Sequence, residues 1–156
     1  MKINGQPPSK DNIKFVVIPR NDCDIVFKAK PINYAKFDEL MPRPEPQIIE
    51  YADGTKKRDV EDPSFNLALA NYANCRTSYL FVESLSATEG LEWGTVDIND
   101  PKTYPNWLGE MRDAGFSEKE IDLVMECVTQ ANAIDEEHLK AARERFLAMQ
   151  REQRGT

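Results

Sequence analysis

The sequence predicts an α+β protein in which N-terminal β-hairpins pack on a C-terminal helical bundle. Three observations carry that prediction. β-rich runs separated by turn residues fall in residues 1–62, capped and helically periodic segments fill residues 63–156, and the ten prolines concentrate early, where irregular connections are needed. A chain of 156 residues can bury one sizeable core, so the two parts are expected to form a single compact domain.

In chain order, Ile13 to Ile18 is a β-rich run stopped by Pro19. Asp24 to Lys30 is a second run, with Ile25, Phe27 and Ala29 alternating against polar positions, and Arg20 to Cys23 forms the turn between the two. Such a hairpin buries one face and needs further elements to cover it. Tyr34 to Leu40 suits a short helix, ended by Pro42, Pro44 and Pro46, whose rings remove donors and hold the preceding residues extended. Met41 to Gln47 is therefore a stiff spacer. Ile48–Tyr51 and Thr55–Val60 flank Asp53-Gly54, a dipeptide suited to a tight hairpin turn. With Lys56, Lys57, Arg58 and Asp59 on one arm, this second hairpin has little to bury and should protrude.

Asp62-Pro63 opens the longest helix with an N-cap and a proline at the first helical position. Ala68, Tyr72, Cys75, Tyr79 and Val82 form its seam, and its periodicity weakens from Ser84 to Gly90. Leu91 to Ile98 reads as an extended segment carrying Trp93 and Val96. Asp100-Pro101 is a second cap-plus-proline start, and the helical stretch to Ala114 is interrupted by Pro105, with Trp107, Leu108 and Met111 as buried candidates and Gly115 as its left-handed end. The clearest boundary follows. Ser117 and Glu120 make a capping box, Phe116 can staple onto Ile121, and Ile121, Val124, Met125 and Val128 then form an apolar stripe that Leu123 and Cys127 widen. After Ala131–Ile134, Asp135 restarts a last helix whose Leu139, Ala142, Phe146 and Met149 step by three and four, the spacing of a seam that packs against a partner helix. Its acidic start and basic end oppose the helix dipole, and Gln150 to Thr156 should fray.

The residues contain no recognisable catalytic, cofactor or metal constellation. His138 is the only histidine, near the start of the last helix, with no nucleophile motif to serve. Asp97, Asn99 and Asp100 suggest a calcium loop, yet the glycine and glutamate such a loop requires are replaced by Lys102 and Leu108. The three cysteines, Cys23, Cys75 and Cys127, are far apart and read as reduced apolar fillers, which favours a reducing cytoplasm. A net charge of −7 argues against nucleic acid as a partner, and no long apolar stretch or signal-like N-terminus suggests a membrane or secretion.

Several segments together resemble a family of small proteins encoded among the tail genes of long-tailed bacteriophages, the tail assembly chaperones. They are Asp62-Pro63-Ser64-Phe65 with Ala68-Leu69, Glu92-Trp93-Gly94-Thr95-Val96-Asp97, and Asp100-Pro101 with Thr103. Ala114-Gly115-Phe116-Ser117 with Glu120, Ala131-Asn132, and Ala142-Arg143-Glu144-Arg145-Phe146-Leu147 complete the pattern, behind a front-end hairpin of the kind many such chaperones share. The resemblance implies a non-catalytic protein of the host cytoplasm. It would bind the tape measure protein, keep that long apolar chain in solution, and help recruit tail tube subunits. Two other classes stay open on the residues: a structural tail completion or connector protein, and a small acidic protein that contacts a host defence sensor.

The large apolar groups that could meet a partner are Trp93, Trp107, Leu139, Phe146 and Met149, with Ala142 completing the last helix's seam. That seam is expected to contact either the long helix, through Tyr72 and Tyr79, or another chain, and its exposure within one chain would favour the second.

Overall fold

The computed structural model describes residues 1–8, 12–134 and 136–155. It has two antiparallel two-stranded hairpins in the front part and helices behind them, as the sequence predicts. β1 (Lys14–Ile18) pairs with β2 (Ile25–Ala29) in the register Val16 to Phe27 and Ile18 to Ile25. Period-two alternation turns Ile18, Phe27 and Ala29 into the core, with Val16 and Ile25 packed against it, and leaves Phe15, Val17 and Val26 on an exposed outer face. Helix α1 (Ala35–Leu40) is short, but Phe37 on it is fully buried. The proline-rich stretch after it has no regular structure. β3 (Ile48–Glu50) and β4 (Lys56–Arg58) form the second hairpin around Gly54, whose φ of +83° suits glycine, and every residue of both strands is exposed.

α2 (Pro63–Leu85) runs for 23 residues from the Asp62 N-cap, whose carboxylate accepts the Ser64 N–H at 3.1 Å. Its seam holds at Tyr72, Cys75, Tyr79 and Val82, but Ala68 is exposed, because burial along this helix begins at Tyr72 and the turns before it reach past the core. A 3-10 turn at Pro101–Thr103 leads into α3 (Asn106–Asp113), which ends at Gly115 with φ of +93°. α4 (Glu118–Asn132) carries the complete capping box of Ser117 and Glu120. Ile121, Val124, Cys127, Val128 and Ala131 are its buried face, and the hairpin of β1 and β2 packs on α4 and α2. Leu123 does not widen that face; it is exposed on the solvent side of α4.

The core is aromatic at its centre. Phe37, Tyr79 and Tyr104 meet with ring centroids 5.5–6.4 Å apart, and Phe81 stacks on Trp107 at 4.7 Å. Burial pushes the Tyr104 hydroxyl up to about 12, with Tyr79, Glu83 and other acidic neighbours adding to it, and that hydroxyl donates to the Ile98 carbonyl at 2.5 Å. Of the cysteines, Cys75 and Cys127 fill the core as expected, whereas Cys23 is exposed in the β1–β2 turn.

α5 (Glu136–Arg154) departs most from expectation. It continues through Arg154 where fraying from Gln150 is expected, and none of its residues is buried. The expected cap at Asp135 lies outside the described residues. The segment Phe116 to Met149 is thus not one packed pair: α4 is central to the core, and α5 is not part of it.

Candidate binding surface

The residues expected to meet a partner separate into two sets. Leu139, Phe146 and Met149 are 60%, 58% and 60% exposed, and Ala142 is exposed between them. Four positions in steps of three and four therefore form a continuous stripe along α5 that no element covers among the described residues. Contact of the stripe with α2 through Tyr72 and Tyr79 does not occur, because both tyrosines are buried against Phe37. Trp107 belongs to the other set. At 4% exposure and stacked on Phe81 it offers no surface.

Trp93 lies between the two sets, half-buried on a loop that Glu110 holds in place. The Glu110 carboxylate accepts the backbone N–H groups of Gly94 at 2.5 Å, Thr95 at 3.0 Å and Val96 at 3.1 Å, and the Thr95 hydroxyl at 2.8 Å. Burial alone raises this carboxyl; the four hydrogen bonds outweigh it and hold it below its ordinary value. A Cβ at Gly94 would stand 3.2 Å from Glu110 Oε1, tighter than ordinary contact, so the absence of a side chain there suits the close approach.

Sequence reasoning missed a further apolar surface. Phe15, Val17 and Val26 share the outer face of the β1–β2 hairpin, with Ile13 exposed just before it. The signal was present, because the run from Phe15 to Ile18 is apolar on both faces of a strand, and a strand covered on one side alternates. Near this hairpin, a groove of about 610 Å³ opens between Asn12 and Lys14 on one side and Ala131, Ile134 and Leu139 on the other. It joins the start of β1 to the start of the α5 stripe.

Polar bonds fix the body under these surfaces. Asn132 at the end of α4 accepts the Ile32 N–H at 2.9 Å and donates to the Val128 carbonyl at 2.9 Å and to Ser84 Oγ at 3.3 Å. Ser84, fully buried, donates to the Lys30 carbonyl at 2.7 Å. The ends of β2, α2 and α4 are thereby tied at one point, and α5 leaves from it. Arg20 in the β1–β2 turn pairs with Glu120 at the start of α4 and lies over the Phe116 ring at 5.2 Å.

Among the described residues, no three His, Cys, Asp or Glu side chains converge where a metal could be held, and no helix is long and apolar enough to cross a membrane. His138 lies at the exposed start of α5 beside Leu139, on the groove just described. No protein-family model, no curated protein and no solved structure matches this chain.

Proposed function

We propose that the chain is a non-catalytic tail assembly chaperone of a long-tailed bacteriophage, acting in the host cytoplasm to bind the tape measure protein and to assist assembly of tail tube subunits around it. The observation that supports this reading is the uncovered stripe of Leu139, Ala142, Phe146 and Met149 on a helix that contributes nothing to the core. A helix that adds no buried residue to the core and leaves its apolar residues exposed suits contact with another chain, and an amphipathic client helix fits such a stripe through anchors spaced by three and four. The half-exposed outer face of the first hairpin, with Phe15, Val17 and Val26, is a second apolar area open to a long client. The acidic exterior limits non-specific association while the client is held.

Co-expression with the neighbouring tape measure protein tests the reading. The client's yield in the soluble fraction is expected to rise, the two chains to co-purify, and Phe146→Ala with Met149→Ala to abolish both effects. If client solubility is unchanged and the chains never co-purify, the reading fails. Mass spectrometry of purified particles separates it from a tail completion or connector protein, since a chaperone is absent from the mature virion and a structural subunit is present. Capture of a host defence protein without the tape measure protein would instead favour the defence-sensor alternative.

A further inference from the structure

We propose that the chain associates head to tail, with β4 of one copy adding as a strand to the open edge of β2 in the next. Each hairpin has only two strands, a size that is marginal alone in water, and among the described residues each leaves outer-edge backbone groups without a partner; β2 at Val26 and β4 at Lys56 and Arg58 are the two edges whose surroundings carry opposite charge.

On β2 the open edge is at Val26. Lys28 turns its backbone away from β1: its N–H donates to Thr88 Oγ1 at 2.9 Å, and its carbonyl accepts from the same hydroxyl at 3.0 Å. Lys30 follows the same pattern, its N–H donating to the Ser84 carbonyl at 3.0 Å. The alternation of an antiparallel pair turns Val26 in that direction too, where the described residues supply no counterpart to Thr88 or Ser84. The edge opens there into a groove of about 540 Å³ whose lining includes Leu91, Trp93, Asp24 and Glu92 and, among the described residues, no lysine or arginine.

On β4 the open edge is at Lys56 and Arg58. Asp59 and Thr55 bond back across the hairpin, to Gln47 and Tyr51 at 2.8 Å each, so odd-numbered positions face β3 and even-numbered positions face outward. The Arg58 carbonyl is taken by the Val60 N–H at 3.1 Å, which leaves Lys56 with both backbone groups and Arg58 with its N–H. In antiparallel register, Lys56 opposite Val26 places Arg58 directly opposite Asp24 of the neighbouring copy. The basic strand then lies against an acidic rim, and two small sheets become one of four strands.

The contact cannot close within one copy. The arm runs into Pro63, and the groove begins at Thr88, just beyond Leu85, so the length of α2, about 34 Å at 1.5 Å per residue, separates them. Complementary surfaces at opposite ends of a helix give a heterologous contact, which builds a ring or an open chain.

Sedimentation velocity across a concentration series at low salt tests this. The wild-type mass should rise with concentration. Arg58→Asp alone and Asp24→Arg alone should each weaken association by at least about tenfold, because each sets like charges opposite one another. Mixing the two variants should restore it, since every contact between unlike copies is again of opposite charge. Asp24 also accepts the Arg20 N–H, so Val26→Pro serves as the second groove variant: it deletes the edge donor and no hairpin bond, and should be monomeric with a native circular dichroism spectrum. A wild-type chain that stays monomeric up to its solubility limit overturns the proposal. So does a mixture that stays dissociated, or a folded Val26→Pro chain that assembles like the wild type.

Discussion

Arg20 and Glu120, one hundred residues apart in sequence, are joined by two hydrogen bonds, from Nη1 to Oε2 at 2.5 Å and from Nη2 to Oε1 at 3.2 Å. The same carboxylate accepts the Ser117 N–H at 3.0 Å as half of the capping box, so one side chain both starts α4 and clamps the β1–β2 turn onto it. The Arg20 hydrogen bond, with the Ser117 N–H, holds the Glu120 carboxyl down at about 2 against an ordinary 4.5. A depressed carboxylate stabilises the fold fully above its ordinary value and loses that contribution as pH falls towards its folded value. Glu120→Gln is therefore expected to lower the melting temperature at neutral pH, with its deficit shrinking as pH drops from 4.5 towards 2. Thermal melts of both chains across that window check this; a deficit independent of pH sinks the clamp.

Removing the other half of the box isolates the cap from the clamp. Ser117→Ala leaves Arg20 and Glu120 in place but strips the acceptor from the Glu120 N–H, bound now at 3.2 Å. The expected loss is about 1 kcal/mol, with a weaker acid dependence than Glu120→Gln, because the Ser117 side chain is the smallest of the contributors that hold the Glu120 carboxyl down. Urea unfolding at two pH values distinguishes the two changes.

At Asn132 three elements share one side chain, and that junction should be the most sensitive polar point in the body. Asn132→Ala leaves the Ile32 N–H without its acceptor and Ser84 with one partner fewer. A cost of about 1–3 kcal/mol is expected, with faster amide exchange at Ile32 as the local signature. Asn132→Asp keeps the acceptor but aims a negative charge at the Val128 carbonyl, so it should not rescue.

Much of this fold was legible because local chemistry dictated it. Asp62-Pro63, the Ser117–Glu120 box, Asp53-Gly54 and Gly115 each satisfy a backbone requirement within a few residues, and each stands where the sequence places it. What could not be read depends on distant partners. Periodicity shows that Leu139 and Phe146 share a face of α5 but not whether anything covers that face, and it groups Ala68 with Tyr72 although the core begins only at Tyr72. Trp107 and Phe146 look equally available in the sequence; the stacking partner Phe81 decides between them. The Glu110 clamp was hidden for the same reason, since a lone glutamate on a short helix carries no sign of the loop it grips.

That clamp gives a spectroscopic prediction. Gly94→Ala puts a methyl 3.2 Å from Glu110 Oε1, so the carboxylate and the loop that carries Trp93 must move apart by a few tenths of an ångström, which loosens the clamp. Glu110→Gln turns one accepting oxygen into a donor facing the N–H groups of Gly94, Thr95 and Val96. Both variants are expected to red-shift the tryptophan emission, through Trp93, with little change in helical signal. Trp93→Phe in either background should abolish the shift, and persistence of the shift would assign it to Trp107.

The sharpest contrast lies between Trp107 and the α5 stripe, since both look like apolar anchors and only one supports the fold. Trp107→Ala removes a buried ring stacked on Phe81 and is expected to cost about 3–5 kcal/mol. Phe146→Ala with Met149→Ala removes two half-exposed side chains from a helix with no buried residue, so each change should stay within about 0.5 kcal/mol. Chemical denaturation of the three chains measures this directly. A folded, stable double variant that no longer holds the tape measure protein assigns the stripe to binding. If instead the double variant unfolds as readily as Trp107→Ala, α5 supports the fold and the stripe is not available to a client.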